Sequence, residues 1–427
     1  MKITILPSKA YGKTTAPPSK SMAHRLLVCA GCAEGTSRIQ NIDLSEDILA
    51  TLRCLKAMGA EWSLESGTAA GMEGGLEAGT ETGTASGAET GTVIMKGIDP
   101  GKFREDAFLD CGECGSTLRF MIPLCLMGGQ TDTLTGSRTL LGRPLTVYEK
   151  ICEEQGFVFQ KSEGRIQVSG HLAAGEYEIP GNISSQFISG LLFALPLLHG
   201  DSRIRLLPPV ESRPYILMTM QAQEMFGVTS KWEDDCTIWI RGGQNYRARN
   251  VRTEGDYSNA AFLEALNLTG GNVTVEGLCE ESLQGDKVYR QYFDRIREGY
   301  AGIDLSDCPD LGPVLMAAAA LRHGALFSGT RRLRIKESDR GAAMRQELAK
   351  IGVPVEISEN EIRVASGVRP PQELLDGHND HRIVMALAVL LTETGGTICG
   401  AQAVGKSFPD FWKKLAELGV ELKLEKE

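Results

Sequence analysis

Pro17-Pro18-Ser19-Lys20-Ser21-Met22-Ala23-His24-Arg25 places hydroxyls and two cations at the start of an apolar run, Leu26 to Ala33, that reads as a helix. A helix N-terminus favours anions through its free N–H groups and its dipole, so Lys20, Ser21 and Arg25 there make a phosphate or carboxylate site. The stretch decides the fold because its design recurs. In this first copy the apolar run closes on Gly35. The same polar opening and Gly-terminated run return in Gly115-Ser116-Thr117 into Leu118–Gly129, Ser184-Ser185-Gln186 into Phe187–Gly200, and Asp256-Tyr257-Ser258-Asn259 into Ala260–Gly271. Pro309-Asp310 leads into Leu311–Gly324, and Asn379-Asp380-His381-Arg382 into Ile383–Gly396, which brings the copies to six. After each Gly comes a short β-like run, such as Asn272-Val273-Thr274-Val275, then a polar loop and a second, amphipathic helix. Ile48/Leu52/Leu55, Tyr289/Phe293/Ile296, Met344/Leu348/Ile351 and Phe411/Leu415/Leu418 carry the i, i+4, i+7 spacing of one apolar face. Gly59, Gly156, Gly227, Gly352 and Gly419 fit the C-caps of such helices. The chain therefore reads as repeated α/β units, each on the order of 65 residues. Their apolar helices are expected to be buried, with all the polar N-termini facing one place.

A chain of 427 residues suggests two or three domains, and 42% hydrophobic with 23% charged residues is ordinary for a globular protein. Six units divide as three plus three. The polar run Gly242–Asn250 separates the third copy from the fourth and marks a boundary. Residues 14–243 then form one lobe, and residues 1–13 with 244–427 form the other. Two crossings enclose one interlobe cleft. Glu65 to Gly91, built from Gly, Thr, Glu, Ala and Ser without Lys, Arg or aromatic residues, stands outside the pattern. It is expected to be a mobile hairpin tip inserted between two strands of the first unit.

No apolar run approaches the ~20 residues that span a bilayer, and no basic start precedes an apolar segment, so a cytoplasmic protein without a membrane partner is expected. The eleven Cys are scattered, as free thiols would be. Cys29/Cys32 and Cys111/Cys114 have the spacing of a zinc site. The first pair lies on an apolar helix and the second flanks a Gly turn, so both read as buried small residues. A net charge of −10 argues against a nucleic-acid surface, and any cationic site must be local. Lys20, Arg25, Arg119, Arg143, Arg213, Lys336, Glu337, Arg340, His381, Arg382 and Lys406 occupy the loop positions that the repeat brings together. Taken singly, each reads as a solvated surface charge. Together they imply a small, multiply anionic substrate steered in by the field. Gly400–Ser407 fits the Walker A pattern, but Pro409 follows two residues later and little chain remains for a Mg²⁺-binding Asp. Lys406 is kept as an anion ligand, and ATP binding is not.

Seven motifs carry a resemblance: Pro18-Ser19-Lys20-Ser21 with Arg25, Gly115-Ser116-Thr117-Leu118-Arg119, Ser184-Ser185-Gln186-Phe187, Ser212-Arg213-Pro214-Tyr215, Ile335-Lys336-Glu337-Ser338-Asp339-Arg340, Asn379-Asp380-His381-Arg382, and Lys406-Ser407-Phe408-Pro409-Asp410. In this order, over nearly the whole chain, they resemble the EPSP synthase (3-phosphoshikimate 1-carboxyvinyltransferase) family of enolpyruvyl transferases. The resemblance implies a two-lobed α/β fold, an inside-out α/β barrel of six βαββαβ-like units. It also implies transfer of the enolpyruvyl group of phosphoenolpyruvate to the 5-hydroxyl of shikimate 3-phosphate, on the route to chorismate and the aromatic amino acids. By the family's pattern Asp310 accepts the hydroxyl proton, Glu337 protonates C3 of the donor, and Lys20 lies close to both substrates. Lys20, Ser21, Arg25, Ser184, Ser185, Gln186, Ser212, Asp310 and Lys336 match positions for shikimate 3-phosphate. Lys20, Gly115, Arg143, Gln186, Arg340, Arg382 and Lys406 match positions for phosphoenolpyruvate. His381 reads equally as a ligand-orienting group or a satisfied helix-start residue. No metal or organic cofactor is implied, and the expected state is a monomer.

Pro18 replaces a Gly usual before Ser-Lys-Ser, Glu113-Cys114 replaces a frequent Asn-Ala, and Arg332 stands where some members have a substrate-binding Asn. Phe120 follows Arg119 where Pro is common. These departures bear on donor affinity rather than on the reaction. The nearest rival, the UDP-N-acetylglucosamine enolpyruvyl transferases, carries a reactive Cys before an Arg-Pro pair. Thr135–Pro144 contains none. A non-catalytic anion-binding relative is the other alternative, against which Lys20, Asp310 and Glu337 speak.

Overall fold

Each polar opening becomes the start of a helix in the computed structural model, which describes residues 1–65, 90–104 and 106–425. Five of the six opening helices have side-chain caps: Ser19 heads Lys20–Gly31, Cys114 heads Gly115–Cys125, Ser184 heads Ser185–Ala194, Asp256 heads Tyr257–Glu264 and Asp380 heads His381–Thr394. The sixth, Gly312–Leu321, follows a single 3₁₀ turn over Pro309–Leu311. These helices are apolar all round and lie in the interior, where Ile383 through Leu391 have no exposed surface. The expected stop at Gly35 is corrected. The first helix ends at Gly31 and a strand, Ala33–Ile42, follows at once, with Gly35 inside it at φ 104°. Polar Glu34-Gly35-Thr36 is exposed and cannot prolong a buried helix. The second helices end as their glycines require, at Gly59, Gly156, Gly227, Gly352 and Gly419, all with positive φ.

Six sheets occur among the described residues, and three share one order without exchange of chain. Phe108–Asp110 lies parallel to Asp132–Thr135, which is antiparallel to Arg165–Ser169, which is antiparallel to Val158–Ser162. A parallel pair needs a crossover, and the opening helix is that crossover. The same order holds in the sheets built on Ser202–Leu207 and Ala325–Ser328. The other three sheets exchange strands. Lys2–Ile5 pairs with Gly396–Cys399 and Leu422–Glu425 at the far end of the chain. Tyr11–Thr15 leads into the first opening helix but pairs with Asn272–Glu276, whereas Asn250–Arg252 leads into the fourth and pairs with Ala33–Ile42. The two passages touch, with Ser19 N–H donating to the Glu254 carbonyl (2.8 Å) and Asp256 N–H to the Pro17 carbonyl (2.8 Å).

Burial follows the same division. One core runs from Met22 to Tyr246, and the other joins Ile3–Ala16 to Tyr257–Val420. The molecule is thus a two-lobed α/β structure with three units to a lobe. The inserted tip expected at Glu65–Gly91 falls largely at 66–89, outside the described residues; its flanking strands, Glu61–Glu65 and Gly91–Gly97, are antiparallel. The Walker-like run makes no phosphate cradle, because Ala401–Lys406 is a 3₁₀ turn and the next helix waits until Phe411. All eleven Cys are free thiols, with Cys29, Cys32, Cys111 and Cys114 buried. No helix among the described residues is long and apolar enough to cross a membrane.

Candidate active site

Five of the six openings line one cavity of about 850 Å³, counting its open mouth, whereas the fourth, Asp256-Tyr257-Ser258-Asn259, does not, with Asp256 instead accepting from the Lys20 N–H behind it (3.0 Å). The first core supplies Lys20, Ser21, Arg25, Gly115, Arg143, Ser184, Ser185, Gln186 and Ser212, and the second supplies Asp310, Lys336, Glu337, Arg340 and Arg382. Lys406 lies in an adjoining hollow with Glu113 and Asn379, and Asp47 lines both spaces. Arg213 does not join them. Its guanidinium stacks 4.1 Å from the Trp232 ring centre and reaches Asp235 at 3.8 Å, held outside by a cation–π contact that the repeat pattern could not foresee.

Local structure explains the convergence. Gly115 has no room for a side chain, since a Cβ would meet Arg143 Nη1 at 2.8 Å and Arg119 Nη1 at 3.1 Å. Gln186, one residue into its helix, accepts from Arg119 Nη1 (2.6 Å) and donates to Ser116 Oγ (2.9 Å), tying the second and third helix starts together. Ser212 takes a left-handed turn, φ 56°, and its N–H donates across the cleft to the Ser306 carbonyl (3.1 Å). Arg332 also donates to the Ser212 hydroxyl.

The charges of the second core are interlocked. Arg340 donates to Asp310 (2.8 Å), Glu337 (2.6 Å) and Asp380 (2.8 Å), while Lys336 and Arg382 reach Asp310 at 3.1 and 3.2 Å. Burial pushes the Asp310 carboxyl up, but Arg382, Lys336 and Arg340 outweigh it and hold it well below the usual carboxylate range. Glu337 behaves alike, with burial opposed and overcome by Arg340, Arg143 and Lys20. Burial lowers Lys336. It also lowers Lys20, whose affinity for its proton is nonetheless raised by Asp47 and Glu337. His381 stays neutral, pushed well down by burial and by Lys20 and Arg382, and neither ring nitrogen has a hydrogen-bond partner among the described residues. The satisfied helix-start reading of His381 therefore fails.

Several donors are buried without a partner among the described residues: Arg143 Nε, and Arg382 Nε and Nη1. Buried guanidinium donors normally find acceptors, so their convergence marks a place for an anion. His24, Asp47 and Cys114 offer ligand atoms within 4.8 Å of one another, a metal-like grouping. A cation already sits there, because Lys20 Nζ donates to Asp47 Oδ2 at 2.7 Å, so the group reads as the seat of Lys20.

Sequence reading missed Asp47, and it assigned no role to Tyr215. Asp47 opens the second, amphipathic helix Glu46–Ala57, where no motif distinguishes it from a helix-dipole carboxylate. Tyr215 lies inside a quoted motif, and its hydroxyl donates to Asp310 (3.3 Å) and Asp286 (3.2 Å).

The chain is similar to known proteins along its length. The family described as EPSP synthase (3-phosphoshikimate 1-carboxyvinyltransferase) matches residues 6–415. A 3-phosphoshikimate 1-carboxyvinyltransferase of Clostridium novyi (strain NT) is 37% identical over 438 residues, covering 98% of this chain and 97% of the relative. One of Clostridium perfringens (strain 13 / Type A) is 37% identical over 445 residues, covering 98% of each. Among solved structures, an EPSP synthase from Acinetobacter baumannii superposes with a TM-score of 0.75 at 23% identity, with 100% of both chains covered, and shares the fold.

Proposed function

The chain belongs to the EPSP synthase family, and from that membership we infer what each part of its cleft does. The protein is a transferase that moves the 1-carboxyvinyl group of phosphoenolpyruvate to the 5-hydroxyl of shikimate 3-phosphate, releasing phosphate, in aromatic amino-acid biosynthesis. The reaction is an addition followed by an elimination. Asp310 takes the proton of the 5-hydroxyl as its oxygen bonds to C2 of the donor, and Glu337 gives a proton to C3, which becomes a methyl group. In the second half a methyl proton returns to Glu337, the double bond re-forms, the C2–O bond to phosphate breaks, and the proton held by Asp310 passes to the departing phosphate, which restores both carboxyl groups. Lys20 stands beside both centres and compensates the charge on the departing phosphate.

The ionised state of Asp310 suits a base. Glu337 must carry a proton, and substrate anions help it to. When the donor's carboxylate and phosphate engage Arg143, Arg340 and Lys20, those cations hold Glu337 less tightly and its proton affinity rises. Ser21, Arg25, Ser184, Ser185, Ser212, Lys336 and Asp310 hold shikimate 3-phosphate, while Gly115, Arg143, Arg340, Arg382 and Lys406 hold phosphoenolpyruvate. Gln186 lies near both. The observation that carries these assignments is the set of buried guanidinium donors without protein partners at Arg143 and Arg382.

A phosphate-release assay with phosphoenolpyruvate tests the reading: turnover is expected with shikimate 3-phosphate and absent with UDP-N-acetylglucosamine. Turnover with the second acceptor alone would overturn it. The ligands of the acceptor come from both lobes, so binding should draw the lobes together. A small-angle scattering profile unchanged by shikimate 3-phosphate contradicts that closure. The protein acts as a cytoplasmic monomer in this reading.

A further inference from the structure

We propose that Glu113 is a built-in competitor for Lys406 and sets the enzyme's affinity for its anionic donor. The inference rests on the reading of Lys406 as a phosphoenolpyruvate ligand. Glu113 precedes Cys114, the cap of the Gly115–Cys125 helix, and its carboxylate is paired with the Lys406 ammonium. Both of its oxygens accept from Asn379 Nδ2, at 3.2 and 3.1 Å, and Lys406 Nζ donates to the Asn379 carbonyl at 2.6 Å. Carboxylate, ammonium and amide thus close a triangle from the first core onto the second. The Lys406 side chain is 6% exposed and that of Glu113 36%, so the carboxylate reaches a buried cation from the solvent edge.

A lysine ammonium has three donors. One is committed to Asn379 and another faces a carboxylate, the same chemistry that a substrate carboxylate or phosphoryl oxygen offers. The donor must therefore displace Glu113 or share the ammonium with it. Glu46 and Asp47 line the same hollow, so three carboxylates crowd the corner that holds Lys406. Glu46 shows the crowding, since burial and its like-charged neighbours Asp47 and Glu113 raise its carboxyl. An incoming polyanion meets repulsion at this corner. The same repulsion favours departure of the phosphate product.

Steady-state kinetics on Glu113→Gln, Glu113→Ala, Lys406→Ala and the Glu113→Ala/Lys406→Ala pair decide the matter. Glu113→Gln is expected to lower the KM for phosphoenolpyruvate roughly two- to fivefold, the range of a partly exposed ion pair, and to leave the KM for shikimate 3-phosphate unchanged. Inhibition by inorganic phosphate tightens in parallel. In the Lys406→Ala background the effect of Glu113→Ala disappears. Should Lys406→Ala raise the donor KM while both Glu113 variants leave it unchanged or higher, the competitor role is refuted. If Lys406→Ala leaves the donor KM unaltered, the ligand reading of Lys406 fails first, and the proposal goes with it. The near-isosteric Gln keeps the test valid if the Ala variant folds poorly.

Discussion

Arg25 and Arg119, brought by the first core, give their guanidinium donors to neutral oxygens, whereas Arg340 and Lys336, brought by the second, face carboxylates. Arg25 donates to Thr219 Oγ1 (2.8 Å) and to the carbonyls of Ser21 (2.6 Å) and Tyr215 (2.9 Å). Arg119 donates to Gln186 and to the Pro144 carbonyl (3.3 Å). Burial lowers both to about 10, so they remain charged at neutral pH. Lys20, paired with Asp47, is the exception on this side. Neutral partners orient a cation without cancelling it, so the first core presents net positive charge to the substrates. Opposed charges cancel, so the second core is close to balanced, and what its cations do is keep two carboxylates ionised in a buried place. The first side mainly grips, and the second both helps to hold the substrates and keeps ready the carboxylates that move protons.

Glu337→Gln tests the division most severely. Turnover is expected to fall by about 10²–10⁴ with calorimetric binding of shikimate 3-phosphate nearly intact. Loss of binding with chemistry preserved would place Glu337 among the gripping groups and erase the contrast. On the other side, Arg25→Ala and Arg143→Ala should each cost about 2–4 kcal/mol of ligand binding, Arg25 against shikimate 3-phosphate and Arg143 against phosphoenolpyruvate. Equal effects of both variants on both ligands would mean a shared field rather than separate grips. Asp380→Asn removes one carboxylate from Arg340, whose side chain is 1% exposed, and should lower stability by roughly 3 kcal/mol in denaturant titration. Thermal and chemical stability equal to the parent's would show that Asp310 and Glu337 suffice to hold the guanidinium.

Asp43, outside the cavity lining, gives the smallest and sharpest contrast. Burial and Asp410 push its carboxyl up to about 6, with only Lys414 opposing. Its folded pKa lies above the unfolded one, so the folded state takes up a proton in that window and stability falls as pH rises through it. Asp43→Asn should therefore gain about 1 kcal/mol near pH 7, a gain that vanishes below about pH 4. Asp310 and Glu337, held low, carry the opposite sign: their contribution is present above the ordinary carboxylate range and lost only as pH falls well below it. A gain from Asp43→Asn that does not change with pH would put its origin in packing.

Much of this was legible from local chemistry. Polar openings followed by long apolar runs announced the six opening helices, and positive-φ glycines ended the second helices where expected. The expected first helix runs too far because Glu34-Gly35-Thr36 carries no break signal stronger than Gly35, and its strand is set by partners distant in the chain, Gly97 and Lys96 opposite Gly35 and Thr36 and Tyr246–Arg247 beside Ala33 and Glu34. Asp47 escaped notice for a related reason. A carboxylate in the first turn of a helix is common, and only the approach of Lys20 gives it a function. Arg213 was placed in the cleft by its position in a motif, yet a neighbouring indole turns it outward.

Periodicity, caps and the order of seven motifs determined the kind of unit, how often it recurs and the anionic nature of the substrates, because each depends on residues close together in the chain. Which charge answers which was decided only on folding. Arg340 chooses among Asp310, Glu337 and Asp380, and Lys406 meets Glu113, because strand exchange between the lobes sets helix starts from distant segments a few ångströms apart. Coulomb energy and desolvation are steep at that range, so the pairing, and with it the protonation state of each group, belongs to the tertiary structure.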